Sequence, residues 1–93
     1  MRSGCYAGRG MATVRVLYFA ALRDAVGRGE ESLALPPAVQ TVADLCDHVA
    51  GLHAGYERAR DQVRVAHNDV FADGTERLSD GDVVALLPPV AGG

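Results

Sequence analysis

A chain of 93 residues, 48% hydrophobic and 23% charged, is long enough for one domain with a single modest core and too short for a two-domain enzyme with a cleft between its halves. Nine basic residues against twelve acidic ones leave a formal charge of −3 with no basic cluster, which argues against a nucleic-acid partner, and no apolar run is long enough to cross a bilayer. All nine basic residues are arginine, so no side-chain amine is present to accept an acyl group from another copy.

Residues 1–12 are small and polar, lack the apolar stretch of a secretory signal, and are expected to form a disordered leader, with Met11 as an alternative start. Val14 to Phe19 (VRVLYF) is rich in β-branched and aromatic residues and predicts a strand with Val14, Val16 and Tyr18 on one face and Arg15, Leu17 and Phe19 on the other. Ala20 to Val26 predicts one or two helical turns closed by Gly27, and Glu30 to Leu35 a second strand stopped by Pro36-Pro37. The clearest helix starts at Thr41, where Thr41 and Asp44 form a capping box, and carries Val42, Leu45, Cys46, Val49 and Leu52 as one apolar stripe.

Tyr56 to Asp61 reads as a short polar turn or helix, Gln62 to His67 as a third strand, Asn68-Asp69 as a turn, and Val70-Phe71 as a short edge strand. Ala72 to Asp80 is expected to be a loop anchored by Leu78, and Val83 to Leu87 the last strand, after the turn signal Asp80-Gly81-Asp82. The fold class is therefore α+β, with one main helix across one face of a mixed sheet. The first and last strands are the most apolar, so they are placed side by side in parallel near the centre.

The domain expected over 13–87 is followed by a tail, 88–93, that ends on Gly92-Gly93. Pro88 and Pro89 fix φ and remove two donors, stiffening the base, while two residues without Cβ leave a bare tip that can enter a narrow channel. The dipeptide by itself reads as a loose chain end. A rigid base under a bare tip, however, is also how a carboxylate would be offered to another protein's active site.

Taken together in order, VRVLYFAALRDAVG from Val14 to Gly27, TVADL from Thr41 to Leu45, Asn68, and LSDGDVVALLPPVAGG from Leu78 to Gly93 resemble the MoaD/ThiS family of ubiquitin-like, β-grasp sulfur carriers, most closely its molybdopterin synthase branch. The resemblance covers the whole domain. It implies a β-grasp fold and a cycle in which an E1-like adenylyltransferase uses ATP to adenylate Gly93, a sulfur donor protein converts the terminus to a thiocarboxylate, and sulfur passes to cyclic pyranopterin monophosphate inside a large subunit, in a heterotetramer. Gly92 and Gly93 are then the reacting end, with no bound cofactor and no metal. The family's partner surface maps onto Phe19, Phe71 and Leu87, with Pro88, Pro89 and Val90 leading into the tail. Read from the residues alone, Phe19 and Phe71 are as easily core as surface. Leu86-Leu87 stand where aromatics are frequent in the family.

His48, His53 and His67 lack the spacing of a helical metal pair and are expected at the surface. Cys46 lies on the apolar stripe as a small buried hydrophobe, and Asp44/Asp47 and Asp80/Asp82 serve caps, solvated faces and turns. The two cysteines fit a reducing cytoplasm, and no grouping for catalysis by the chain alone is visible. Two further readings are a sulfur carrier for thiamine or cysteine biosynthesis and a ubiquitin-like modifier or interaction domain.

Overall fold

The structure is a computed structural model that describes residues 12–88. Residues 1–11 of the expected leader and the tail from Pro89 to Gly93 lie outside the described residues, while Ala12 packs against the core and accepts from Leu35 N–H. The elements in order are β1 (Thr13–Tyr18), α1 (Ala20–Val26), β2 (Glu30–Ala34), α2 (Val42–Leu52), α3 (Ala54–Ala59), a 3-10 turn (Arg60–Gln62), β3 (Arg64–His67), β4 (Val70–Phe71) and β5 (Val83–Leu87). They form one five-stranded sheet in the order β2-β1-β5-β3-β4. β1 and β5 run parallel, with Arg15 opposite Val83 and Tyr18 opposite Leu86, and every other pairing is antiparallel. This is the β-grasp layout, and its parallel pair is the one expected from the two most apolar runs.

Strand alternation decides the core. Val14, Val16 and Tyr18 of β1 and Val84 and Leu86 of β5 point to the helical side and are at most 1% exposed. They meet Leu22 of α1, Val42, Leu45, Cys46 and Val49 of α2, and Tyr56 of α3. Each such side chain contributes roughly 1.5–3 kcal/mol by leaving water. α2 begins on the predicted capping box: Thr41 Oγ1 accepts from Asp44 N–H, and Asp44 Oδ2 accepts from Thr41 N–H. The next free helix donors are met by the 72–82 loop, since Val42 N–H donates to Glu76 O and Ala43 N–H to Gly74 O.

Three expectations are corrected. Leu52 is 50% exposed rather than part of the buried stripe, because α2 ends there and the chain turns at His53 into α3. Tyr56, read as part of a polar turn, is 2% exposed instead and belongs to the same buried cluster as Cys46. Strand limits also move: β1 runs one residue earlier, β2 ends at Ala34, and β3 starts at Arg64 because 60–62 coil into a 3-10 turn.

The histidine expectation fails for two of the three. His53 keeps 19% of its side chain exposed, with Nε2 2.7 Å from Glu31 Oε2, and His67 keeps 16%, with Nε2 2.7 Å from Asp82 Oδ2. Each ties together elements far apart in sequence. Asn68 and Asp69 make the β3–β4 turn with φ of 51° and 72°, the left-handed angles that these two residue types tolerate best.

Candidate functional site

The tail leaves from β5, in the middle of the sheet, so its root is held on both sides by β1 and β3. Leu86 faces the core at 1% exposure, and the alternation turns Leu87 to the opposite, outer face. The register assembles the rest of that face. Leu17 lies opposite Ala85, Ala85 opposite Ala66, and Ala66 opposite Phe71; one step nearer the tail, Leu87 lies opposite Arg64. The result is a shallow floor of two alanines rimmed by Leu17, Leu87, Arg64 and Phe71.

Phe19 follows β1 at the tail end and keeps the side of Leu17 in the alternation. It is 43% exposed and Phe71 is 62% exposed, so neither is an ordinary core aromatic. The next residue, Ala20, starts α1 with φ of 51°, a left-handed angle that costs an alanine on the order of 1 kcal/mol. That strained step separates the outward Phe19 from Leu22, which turns inward and is 2% exposed. Pro88 follows directly on β5; Pro89, Val90, Gly92 and Gly93 lie outside the described residues.

Charge on this face is sparse. Arg15 is paired with Glu30 at 2.8 Å on the side away from the tail. Arg64 instead lays its guanidinium over the Phe71 ring, Cζ 4.6 Å from the centroid. In the sequence, Arg64 is one residue of the strand expected over Gln62 to His67. Nothing in the linear pattern announces its contact with Phe71, because that contact depends on the β3–β4 register.

The other polar groups belong to the helical side. Glu31 accepts from the Tyr18 hydroxyl at 2.6 Å and faces His53 and Arg28. Burial pushes the Glu31 carboxyl up, but the hydrogen bonds from Tyr18 and His53 outweigh it and hold the group below its ordinary 4.5. Burial also pushes the Cys46 thiol up, which leaves it a hydrophobe rather than a nucleophile. A groove of about 400 Å³ opens at the sheet edge between α2 and β4, lined by Val42, Cys46, Tyr56, Arg60, Phe71 and Gly74. Among the described residues no three His, Cys, Asp or Glu side chains are placed to share a metal ion, and no helix is long and apolar enough to cross a membrane. Among the described residues, the outer face therefore offers contact, shape and, beside the tail root, the cation of Arg64.

A family model described as the ThiS family matches residues 16–93, from the second half of β1 through the terminal glycine. The chain belongs to the ThiS family. This ThiS-family chain is 40% identical over 86 residues to the molybdopterin synthase sulfur carrier subunit of Mycobacterium tuberculosis, covering 89% of this chain and 100% of that one. Among solved structures it is similar to the small archaeal modifier SAMP1 of Haloferax volcanii, with a TM-score of 0.77 and 29% identity over 88% of this chain and 100% of that chain. It also resembles a chain in the complex of subunits 1 and 2 of the molybdopterin-converting factor of Helicobacter pylori 26695, with a TM-score of 0.65, 26% identity, and coverage of 87% and 99%.

Proposed function

We propose that this ThiS-family chain is the sulfur-carrying subunit of a molybdopterin synthase and that Gly93 is the group that changes chemically. The observation that carries the reading is the 40% identity to a molybdopterin synthase sulfur carrier subunit along that relative's whole length. A carboxylate is a poor electrophile. An E1-like partner using ATP makes the Gly93 acyl-adenylate and releases pyrophosphate; the terminal sulfur of a persulfide on a donor protein then displaces AMP, and a thiol cleaves the resulting acyl disulfide to leave the thiocarboxylate. In the large subunit, the thiocarboxylate sulfur displaces an oxygen substituent from a carbon of cyclic pyranopterin monophosphate, and water then cleaves the acyl–sulfur bond, returning the Gly93 carboxylate while the sulfur stays on the product.

The outer face then serves for docking. Exposed Phe19 and Phe71 and half-buried Leu87 give it apolar surface at the tail root, and Pro88, Pro89 and Val90 are the sequence that links this face to the terminal glycines. Mass spectrometry tests the chemistry: after incubation with the E1-like partner, ATP and a sulfur source, the chain gains the mass of one oxygen replaced by sulfur. No gain overturns the proposal. Adding one residue after Gly93 abolishes the gain and leaves the thermal unfolding midpoint unchanged.

The likeness to an archaeal modifier supports a second reading, in which the activated terminus is joined to an amine of a target protein. Supplying the activating partner and ATP without sulfur separates the two. A stable amide to another protein favours the modifier.

A further inference from the structure

Among the described residues, the outer face has one cation, Arg64, with no carboxylate partner. Arg15 meets Glu30 at 2.8 Å, Arg28 meets Glu31 at 3.2 Å and Arg60 meets Asp47 at 2.7 Å, whereas among the described residues no carboxylate lies within ion-pair distance of Arg64. Asp73, which lines the adjoining groove with Arg64, is engaged by the backbone N–H and the hydroxyl of Thr75. Arg64 is nonetheless not left to wander: it lies opposite Leu87 at the tail root, with its guanidinium 4.6 Å from the centre of the Phe71 ring.

Holding a long side chain in one place costs rotamer entropy, and arginine is among the side chains with most to lose. The Phe71 ring meets part of that cost before any partner arrives, and it leaves the guanidinium edge free for a bidentate pair. A guanidinium is weakly hydrated, so it can be covered by an apolar interface at lower cost than an ammonium. Around it lie Ala66, Ala85, Leu17 and Leu87, which supply apolar contact but no acceptor side chain.

We propose that Arg64, presented on Phe71, determines which protein docks at the tail root: a partner whose apolar contact carries an aspartate or glutamate that closes on the guanidinium. This rests on the reading that the outer face is the docking face, and it adds a charge requirement to it. The chain as a whole is acidic at −3, so an unpaired guanidinium beside the tail root gives a partner's carboxylate a local attraction on this face. A partner with a purely apolar contact leaves Arg64 buried without a counter-charge and is rejected by that cost.

The test is titration calorimetry of the full chain against the molybdopterin synthase large subunit of the same organism, at low and high salt, for wild type, Arg64→Gln, Arg64→Lys, Phe71→Leu and Leu87→Asp. Arg64→Gln weakens binding roughly tenfold or more and flattens its salt dependence. Arg64→Lys recovers only part, since an ammonium cannot make the bidentate pair, and Phe71→Leu loses about threefold by releasing the guanidinium. The thermal midpoint of Arg64→Gln stays at the wild-type value because the side chain is exposed. If Arg64→Gln binds as wild type while Leu87→Asp abolishes binding, the docking face stands and the charge requirement is overturned. If Leu87→Asp also binds as wild type, the docking face itself is wrong.

Discussion

Tyr18 and Phe19 are neighbours in sequence and opposites in role. The Tyr18 ring is 1% exposed, and its hydroxyl donates to Glu31 at 2.6 Å, so burial and that carboxylate push its ionisation upward. Tyr18→Phe keeps the ring and deletes the donor; it is expected to cost about 1–2 kcal/mol in urea denaturation, because Glu31 retains His53 and Arg28. Phe19, at 43% exposure, has far less to lose on folding. Phe19→Ala is expected to weaken the large-subunit complex in calorimetry while shifting stability by less than about 1 kcal/mol, against the ~3–5 kcal/mol for a fully buried aromatic. The reverse ranking would make Phe19 core. Alternation in VRVLYF made the two-sidedness of this pair legible. The Glu31 contacts were not legible, since His53 is 22 residues away and reaches Glu31 only once α2 has crossed the sheet.

At the scale of elements, local chemistry was read correctly wherever a few adjacent residues suffice. The Thr41–Asp44 box forms as expected, and the Asp44 carboxyl is held below its ordinary range by the backbone N–H groups of Gln40 and Thr41. Thr41→Ala is expected to cost about 1 kcal/mol in chemical denaturation. Gly27 closes α1 in the left-handed region at φ 94°, also as expected. What the sequence hides is how two helices meet. Gly55 in α3 packs so closely on α1 that a Cβ there would lie 2.6 Å from Ala25 O. Gly55→Ala would stabilise an isolated helix by up to about 1 kcal/mol, yet here it is expected to lower the unfolding midpoint, because the obstacle is backbone and cannot rotate aside. A rise in the midpoint would mean that the α1–α3 contact yields. The same docking explains Leu52: Tyr56 of α3 is packed in the core while the end of α2 stays open to solvent.

Across the whole molecule, two carboxylate–histidine ties make stability depend on acid. Burial pushes the Asp82 carboxyl up, but hydrogen bonds from His67, Ser79 N–H and Asn68 outweigh it and hold the group below its ordinary 3.8, as Glu31 is held below 4.5. The unfolded chain therefore binds these protons first. The stability they contribute is complete above those ordinary values and is lost as pH falls toward the folded ones. The thermal midpoint is expected to fall steeply as pH drops below about 4.5, and Glu31→Gln, with a lower midpoint at neutral pH, to show a shallower fall. An unchanged acid profile in that variant would remove Glu31 from the account. The sequence by itself determined the strands, the capped helix, the parallel central pair and the family, because alternation, caps and motif order are local or survive as spacing. Only the tertiary structure decided that Phe19 and Phe71 are exposed, that His53 and His67 are paired with acids, and that Arg64 rests on Phe71 beside the root of the tail. Those facts depend on strand register and helix docking, which bring together residues that no linear pattern connects.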